Sequence, residues 1–236
     1  MCSLRISKFM PNGPLQEGLQ EWGPIDPSDL ESGNPIQRGY LYSEDSNVGY
    51  MAGVWDCTAM TTKFEPYPVN EFMLLLDGSV TMIEGDGTET TINAGEPFII
   101  PKGLPCQWKQ DDYVSKYFVI FENPGVPAAQ NVTEQGVILP YPADVVSGRR
   151  DHHYFSDTTD LFEIGVMDRA SFSANIRQSE KNELFILLEG SATITDDLGG
   201  NIELNVGEAL YVPKGAAYQW QSAENVRRLY CSYAPK

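Results

Sequence analysis

Two glutamates, Glu71 and Glu183, stand 112 residues apart, and each precedes a glycine by seven positions (Gly78 and Gly190). Two cations, Lys116 and Arg228, and two tryptophans, Trp108 and Trp220, repeat at the same separation. A carboxylate, a cation and an indole brought together offer three kinds of chemistry. The charges form a structural ion pair, or they hold a polar ligand, or a carboxyl with a perturbed pKa acts as a general acid or base. Residue types alone leave all three open. Cys106 is a lone thiol, and a cysteine nucleophile needs a base such as histidine nearby. The only histidines, His152 and His153, lie outside the segments that carry the other candidates. Cys106 is therefore expected to be a small buried residue. Adjacent strand residues point to opposite faces, so His152 and His153 are expected as an exposed pair, badly placed to share a metal. The cysteines at 2, 57, 106 and 231 form no C-x-x-C pair, which removes support for thiolate zinc and thioredoxin-like chemistry.

The elements that must position these residues are repeated too. Gly53-Val54, Asp56, Asn70-Glu71, Leu75-Leu76, Gly78-Ser79, Thr81, Gly95-Glu96, Pro101-Lys102-Gly103 and Gln107-Trp108 all recur 112 positions later. Between Gly53 and Trp108, 19 of 56 positions are identical to Gly165–Trp220 without a gap. The wider repeat runs from 38–121 to 150–233, with Arg38, Tyr42 and Asp45 matched by Arg150, Tyr154 and Asp157. A fixed register of this length marks two copies of one structural unit. Phe72–Leu76 and Leu184–Leu188 are short apolar runs that read as strands buried on both faces. Asp86-Gly87 and Gly199-Gly200 read as hairpin turns. Many short strands punctuated by glycine and proline indicate a sandwich or jelly roll. The expected domains are 1–128, an N-terminal barrel with its arm, and 129–236, a C-terminal barrel with the linker. Parts of the arm 1–37 and of the proline-rich linker 122–149 are expected to pair as edge strands.

Composition narrows the partners. Acidic side chains number 33 against 16 basic ones, a formal net charge of −17. Binding to nucleic acid or an anionic membrane needs a basic patch. The only adjacent basic pairs are Arg149-Arg150 and Arg227-Arg228, so neither partner is expected. Met1–Pro14 lacks an apolar leader core, and no apolar run is long enough to span a bilayer as a helix. A cytoplasmic protein with reduced thiols is expected. The Asn131-Val132-Thr133 sequon then reads as a chance occurrence.

Glu71 to Gly78 followed by Gly95 to Gly103, and Glu183 to Gly190 followed by Gly207 to Gly215, resemble the two motifs of the cupin superfamily. The Gly-Val-Trp-Asp start, the Pro-x-Gly turn followed by tryptophan and the basic residue in the last strand are similar to one subfamily. That subfamily holds ureidoglycine aminohydrolase and the ethanolamine-utilisation cupins. The resemblance implies an all-β fold of two tandem cupin jelly-roll β-barrels (double-stranded β-helices), a bicupin. Metal-binding cupins carry two histidines shortly before the motif glutamate and one after the Pro-x-Gly turn. This chain has Glu65, Tyr67 and Cys106 at those places in the first copy, and Arg177, Ser179 and Tyr218 in the second. First-row transition metals favour imidazole and thiolate ligands. No metal and no other cofactor is therefore expected.

The resemblance also implies that Glu71 and Glu183 point into their barrels, where a buried carboxylate needs a partner. Lys116 and Arg228 are the expected partners. Trp108 and Trp220 share strand parity with Cys106 and Tyr218 and are expected to face inward, with Gln107 and Gln219 outward. Trp55 joins the first pocket and has Met167 as its equivalent, so the two pockets differ there. The expected ligand-binding set is Trp55, Glu65, Tyr67, Glu71, Cys106, Trp108 and Lys116 in one barrel. In the other it is Arg177, Ser179, Glu183, Tyr218, Trp220 and Arg228. The leading expectation is a bicupin that binds a small polar metabolite without a transition metal. The alternative is a metal-dependent or acid–base enzyme of the ureidoglycine aminohydrolase type. A homodimer is compatible with either.

Overall fold

The computed structural model describes residues 5–140, 151–173 and 175–235. Met1, Cys2, Arg149 and Arg150, named above, lie outside them. The regular secondary structure of the described chain is nearly all strand. Its helices are one four-residue α-helix, Val132–Gln135, and one 3-10 turn, Pro27–Asp29.

Residues 10–140 form one compact unit of two sheets. One sheet runs Pro97–Ile100, Asn70–Asp77, Val114–Phe121, Tyr50–Cys57, Gln37–Asp45, Gln20–Glu21. The other runs Glu89–Asn93, Ser79–Glu84, Pro105–Gln110, Met60–Thr62, Leu30–Gly33, with Glu65–Pro66 also on Pro105–Gln110. The two sheets close on one core that includes Met73, Leu75, Met82, Ile92, Phe98, Trp108 and Phe118. This is a jelly-roll sandwich. Period-2 alternation along each strand delivers every second side chain to that interior.

Residues 151–235 repeat the architecture, with Phe185, Leu187, Ile194, Leu204, Leu210 and Trp220 in the core. The register repeats as well. Glu71 lies opposite Ile100 and Glu183 opposite Val212; Trp108 lies opposite Met82 and Trp220 opposite Ile194. Each pair is displaced by the same 112 residues. Two tandem jelly-roll barrels are thus present, as the repeat predicts.

The shared residues have structural work. Gly78 (φ +77°) and Gly190 (φ +80°) turn the chain where a Cβ would stand 2.1 Å from Tyr113 O and 2.4 Å from Asn225 O. Only glycine fits that conformation at such an approach. Asn70 Oδ1 accepts from Lys102 N at 2.9 Å, and Asn182 Oδ1 from Lys214 N at 2.8 Å, so each asparagine holds its Pro-Lys-Gly turn against the glutamate strand.

The arm and linker divide differently from a boundary at 128/129. Ser7–Lys8 pairs antiparallel with Ala209–Val212, so described residues 5–9 belong to the C-terminal unit. The segment 129–140 stays with the N-terminal unit, where Ile138 bridges Ile99. Ile99 and Tyr211 are offset equivalents, so each barrel has the same edge strand covered by a segment from outside the repeat. An uncovered edge would offer unpaired N–H and C=O groups.

Candidate functional site

In the first barrel Glu71 and Lys116 meet. Glu71 sits on Asn70–Asp77 and Lys116 on the neighbouring Val114–Phe121, where a β-bulge between Ser115 and Lys116 shifts the register. Lys116 Nζ donates to Glu71 Oε1 at 2.8 Å and lies 3.0 Å from Met73 Sδ. Tyr67 OH donates a short hydrogen bond to Glu71 Oε2. Glu71 is 3% and Lys116 7% exposed. The ammonium also stands 4.8 Å from the Trp55 ring centroid and 4.7 Å from that of Trp108, the two indoles meeting edge to face. A desolvated cation between two indole faces gains cation–π energy on top of its ion pair.

Tyr67 and Lys116 of this cluster line a cavity of about 470 Å³ together with Trp55, Glu65, Cys106 and Trp108, while Glu71 lies behind them, outside the lining. The wall also includes Ile25, Asp29, Met60, Thr62 and Lys63, which residue spacing did not single out. Cys106 pairs with Glu65 across strands. Burial, with Glu84 adding to it, pushes the Cys106 thiol up to about 12. Burial and the Glu71 charge hold the Tyr67 phenol well above its ordinary value. Both groups thus stay protonated at neutral pH.

The second barrel keeps the positions and changes the contacts. The same bulge recurs, Arg227 facing Glu189 and Arg228 facing Leu187. Yet Arg228 is no contact partner of Glu183, and the expected ion pair is absent among the described residues. Its guanidinium lies 4.3 Å from the Phe185 centroid and 4.5 Å from that of Trp220, with Nη2 3.5 Å from Met167 Sδ. Phe185 stands where the first copy has Met73. A planar guanidinium stacks on a flat ring as a compact ammonium cannot, so the Met-to-Phe exchange favours stacking over reaching Glu183. Ser179 Oγ is 3.3 Å from Glu183 Oε2 and 2.7 Å from Lys181 O. Burial raises the half-buried Glu183 carboxyl above its ordinary pKa despite the nearby Arg228 and lowers that of Arg228.

The cavity here is about 770 Å³, lined by Arg177, Glu183, Tyr218, Trp220 and Arg228 with Met167, Arg169, Phe172 and Ile176. Ser179 is buried beside Glu183 and is not part of that lining. Arg177 pairs with Tyr218 across strands, its guanidinium 5.8 Å from the Tyr218 ring centroid. A further difference concerns the indoles. Trp108 Nε1 donates to Gln110 Oε1 at 2.7 Å, but Ser222 replaces Gln110, and Trp220 Nε1 and Ser222 Oγ are both buried without a partner. Gln110 was legible in principle, since it stands two residues beyond Trp108 on the same strand face.

Of the remaining candidates, Gln107 Nε2 donates to Glu31 Oε2 (2.5 Å) and Thr62 O (2.9 Å), and Gln219 Nε2 lies 3.5 Å from Ser173 Oγ. His152 and His153 are both exposed on the edge strand His152–Ser156.

The donor set does not fit a transition metal. Both oxygens of Glu71 are engaged by an ammonium and a phenol, and the ammonium would repel a divalent cation. In the second barrel three arginines, Arg169, Arg177 and Arg228, line the cavity. Among the described residues no three His, Cys, Asp or Glu side chains cluster as a metal site.

Comparison with known proteins bears on the family and the fold. The sequence profile of the EutQ-like cupin domain matches residues 46–118 and 166–230, one match in each barrel. The chain belongs to the EutQ-like cupin domain family, and its two matched segments make it a bicupin. A search of curated protein sequences finds no match. Among solved structures it is similar to a protein of unknown function from Pseudomonas syringae pv. tomato (TM-score 0.73, 24% identity, covering 96% of this chain and 98% of that one). It is also similar to a cupin 2 conserved barrel domain protein from Leptotrichia buccalis (TM-score 0.61, 12% identity, 91% and 97% covered). A third is the salicylate 1,2-dioxygenase of Pseudoaminobacter salicylatoxidans (TM-score 0.53, 14% identity, 79% and 72% covered). At these identities the likeness concerns the fold.

Proposed function

We propose that this bicupin binds a small polar metabolite inside its barrels without a transition metal. The observation that carries the reading is the Glu71 cluster: Lys116 and Tyr67 satisfy the carboxylate where a metal cupin places its ion, beneath an open cavity walled by Trp55 and Trp108. Cavities of about 470 and 770 Å³ suit small molecules. Free, buried Cys57, Cys106 and Cys231 suit a reducing compartment such as the cytoplasm.

The test joins elemental analysis of purified protein to mass spectrometry of metabolites released on denaturation. A co-purifying small molecule at near one equivalent, with no stoichiometric Mn, Fe, Ni or Zn, is the expected result. A retained metal that disappears in Glu71→Ala or Glu183→Ala refutes the reading.

A second reading, an acid–base enzyme, is favoured by the raised pKa of Glu183 in its cavity. An enzyme would convert the released metabolite on incubation, and Glu183→Gln would stop conversion while leaving binding intact.

A further inference from the structure

We propose that the second barrel is an organic-acid site, in which Arg228, with Arg177 at the cavity wall, receives the carboxylate of a small acid that has an apolar or planar body. The proposal rests on the small-molecule binding reading and adds the chemical class and the barrel.

Arg228 is the starting point. It is 8% exposed, its Nε has no hydrogen-bond partner, and its one polar neighbour in contact is the weak acceptor Met167 Sδ. No carboxylate of the described residues pairs with it. Arginine stays charged when buried, and an unpaired buried charge is unfavourable. Stacking on Phe185 and Trp220 recovers part of that loss and fixes the plane of the guanidinium. It leaves the in-plane N–H donors without an anion. Lys116, the equivalent cation, has such an anion in Glu71. The second barrel has thus kept the cation and the carboxylate but not the direct contact between them.

The surroundings specify what would replace it. Arg177 and Arg169 line the same cavity, and Arg169 is already paired with Asp151 at 3.0 Å, which leaves Arg177 as the second cation toward a ligand. A planar guanidinium is matched to the two oxygens of a carboxylate. Phe172, Ile176, Met167 and Trp220 supply apolar wall, with Phe172 stacked on Trp220 at an interplanar angle of 6°. That wall fits a hydrocarbon or ring better than the hydrated shell of phosphate. Glu183 is the one carboxyl in the lining. Burial shifts its carboxyl toward the neutral form, which weakens its repulsion of an anion. The chain's net charge of −17 repels anions at long range, so binding has to come from these few inward groups.

The experiment titrates full-length protein with benzoate, acetate, inorganic phosphate and uncharged benzamide, followed by tryptophan fluorescence and calorimetry. Benzoate should bind saturably at one site per chain, more tightly than acetate, phosphate or benzamide. Arg228→Met should weaken benzoate by at least roughly tenfold, the loss of one charge-assisted hydrogen bond. Arg228→Lys should retain part of the affinity, and Arg177→Gln should weaken it severalfold. Lys109→Ala, an exposed cation of the other barrel, should change nothing. Thermal melting checks each fold, and if Arg228→Met is unfolded the Lys and Arg177 variants decide. Unchanged benzoate affinity in these variants overturns the proposal, as does phosphate binding better than benzoate. Equal binding of benzamide overturns it while leaving small-molecule binding in place. Failure of every probe overturns it too, and the absence of any co-purified metabolite would separately overturn the binding reading.

Discussion

Lys116 Nζ lies 2.8 Å from Glu71 Oε1 in the interior of the first barrel, with 9% and 4% of the two side chains exposed. Truncating one member of a buried pair leaves the other charge unsatisfied, at a cost of about 3–5 kcal/mol. Lys116→Met and Glu71→Leu should each lower stability to urea by about that amount. The double variant should recover part of the loss, with a coupling energy of about 0.5–3 kcal/mol. The same cycle on Glu183 and Arg228 should give a smaller coupling, because those side chains are not in contact.

Glycine substitutions separate turn conformation from close packing. Gly87 has φ +85° with open space where a Cβ would project, whereas Gly78 and Gly190 combine positive φ with a backbone oxygen 2.1–2.4 Å from that position. Gly87→Ala should cost about 1–2 kcal/mol, the penalty of the left-handed region alone. Gly78→Ala and Gly190→Ala should each cost more, because strand and turn must also separate. Urea midpoints of the three variants check the order.

Glu183 sets a pH dependence. Burial raises its folded pKa above 4.5, so the folded chain binds more protons at this site than the unfolded chain does. Its contribution therefore turns unfavourable as pH rises from about 4.5 through the folded value, and no penalty remains below that window. Glu183→Gln keeps a polar group toward Ser179 and removes the charge. The difference in unfolding free energy between variant and wild type should grow in the variant's favour from pH 4.5 to pH 8. A difference independent of pH would contradict this origin.

Cys106 should be slow to alkylate. With its thiol moved from 9.0 to about 12, the thiolate fraction at pH 8 falls roughly a thousandfold. Iodoacetamide labelling of the Cys106 peptide, followed by mass spectrometry, should be slower in native protein than in urea by at least that factor. Rapid native labelling would mean that the thiol is exposed to the cavity as thiolate.

The sequence by itself determined the two jelly rolls, their 112-residue correspondence and the shared strand face of Cys106 and Trp108, while the inward placement of Glu71 and Lys116 was implied by the cupin resemblance. Strand alternation has a period of two, and an uninterrupted repeat admits one register. Asn70 and Asn182, Gly78 and Gly190 recur because the same turns recur around them. The tertiary structure alone decided which neighbours those inward residues meet. Ser7–Lys8 covers an edge at Ala209–Val212, a pairing across some two hundred positions that no local pattern announces. Arg228 lies along Phe185 and not against Glu183, and Trp220 has lost the partner that Gln110 gives Trp108. Both outcomes follow single exchanges, Met73 to Phe185 on the strand beside Arg228 and Gln110 to Ser222 at the end of the tryptophan's own strand. Contacts of 3 to 5 Å depend on side-chain length and shape across strands, and spacing along one strand carries none of that information.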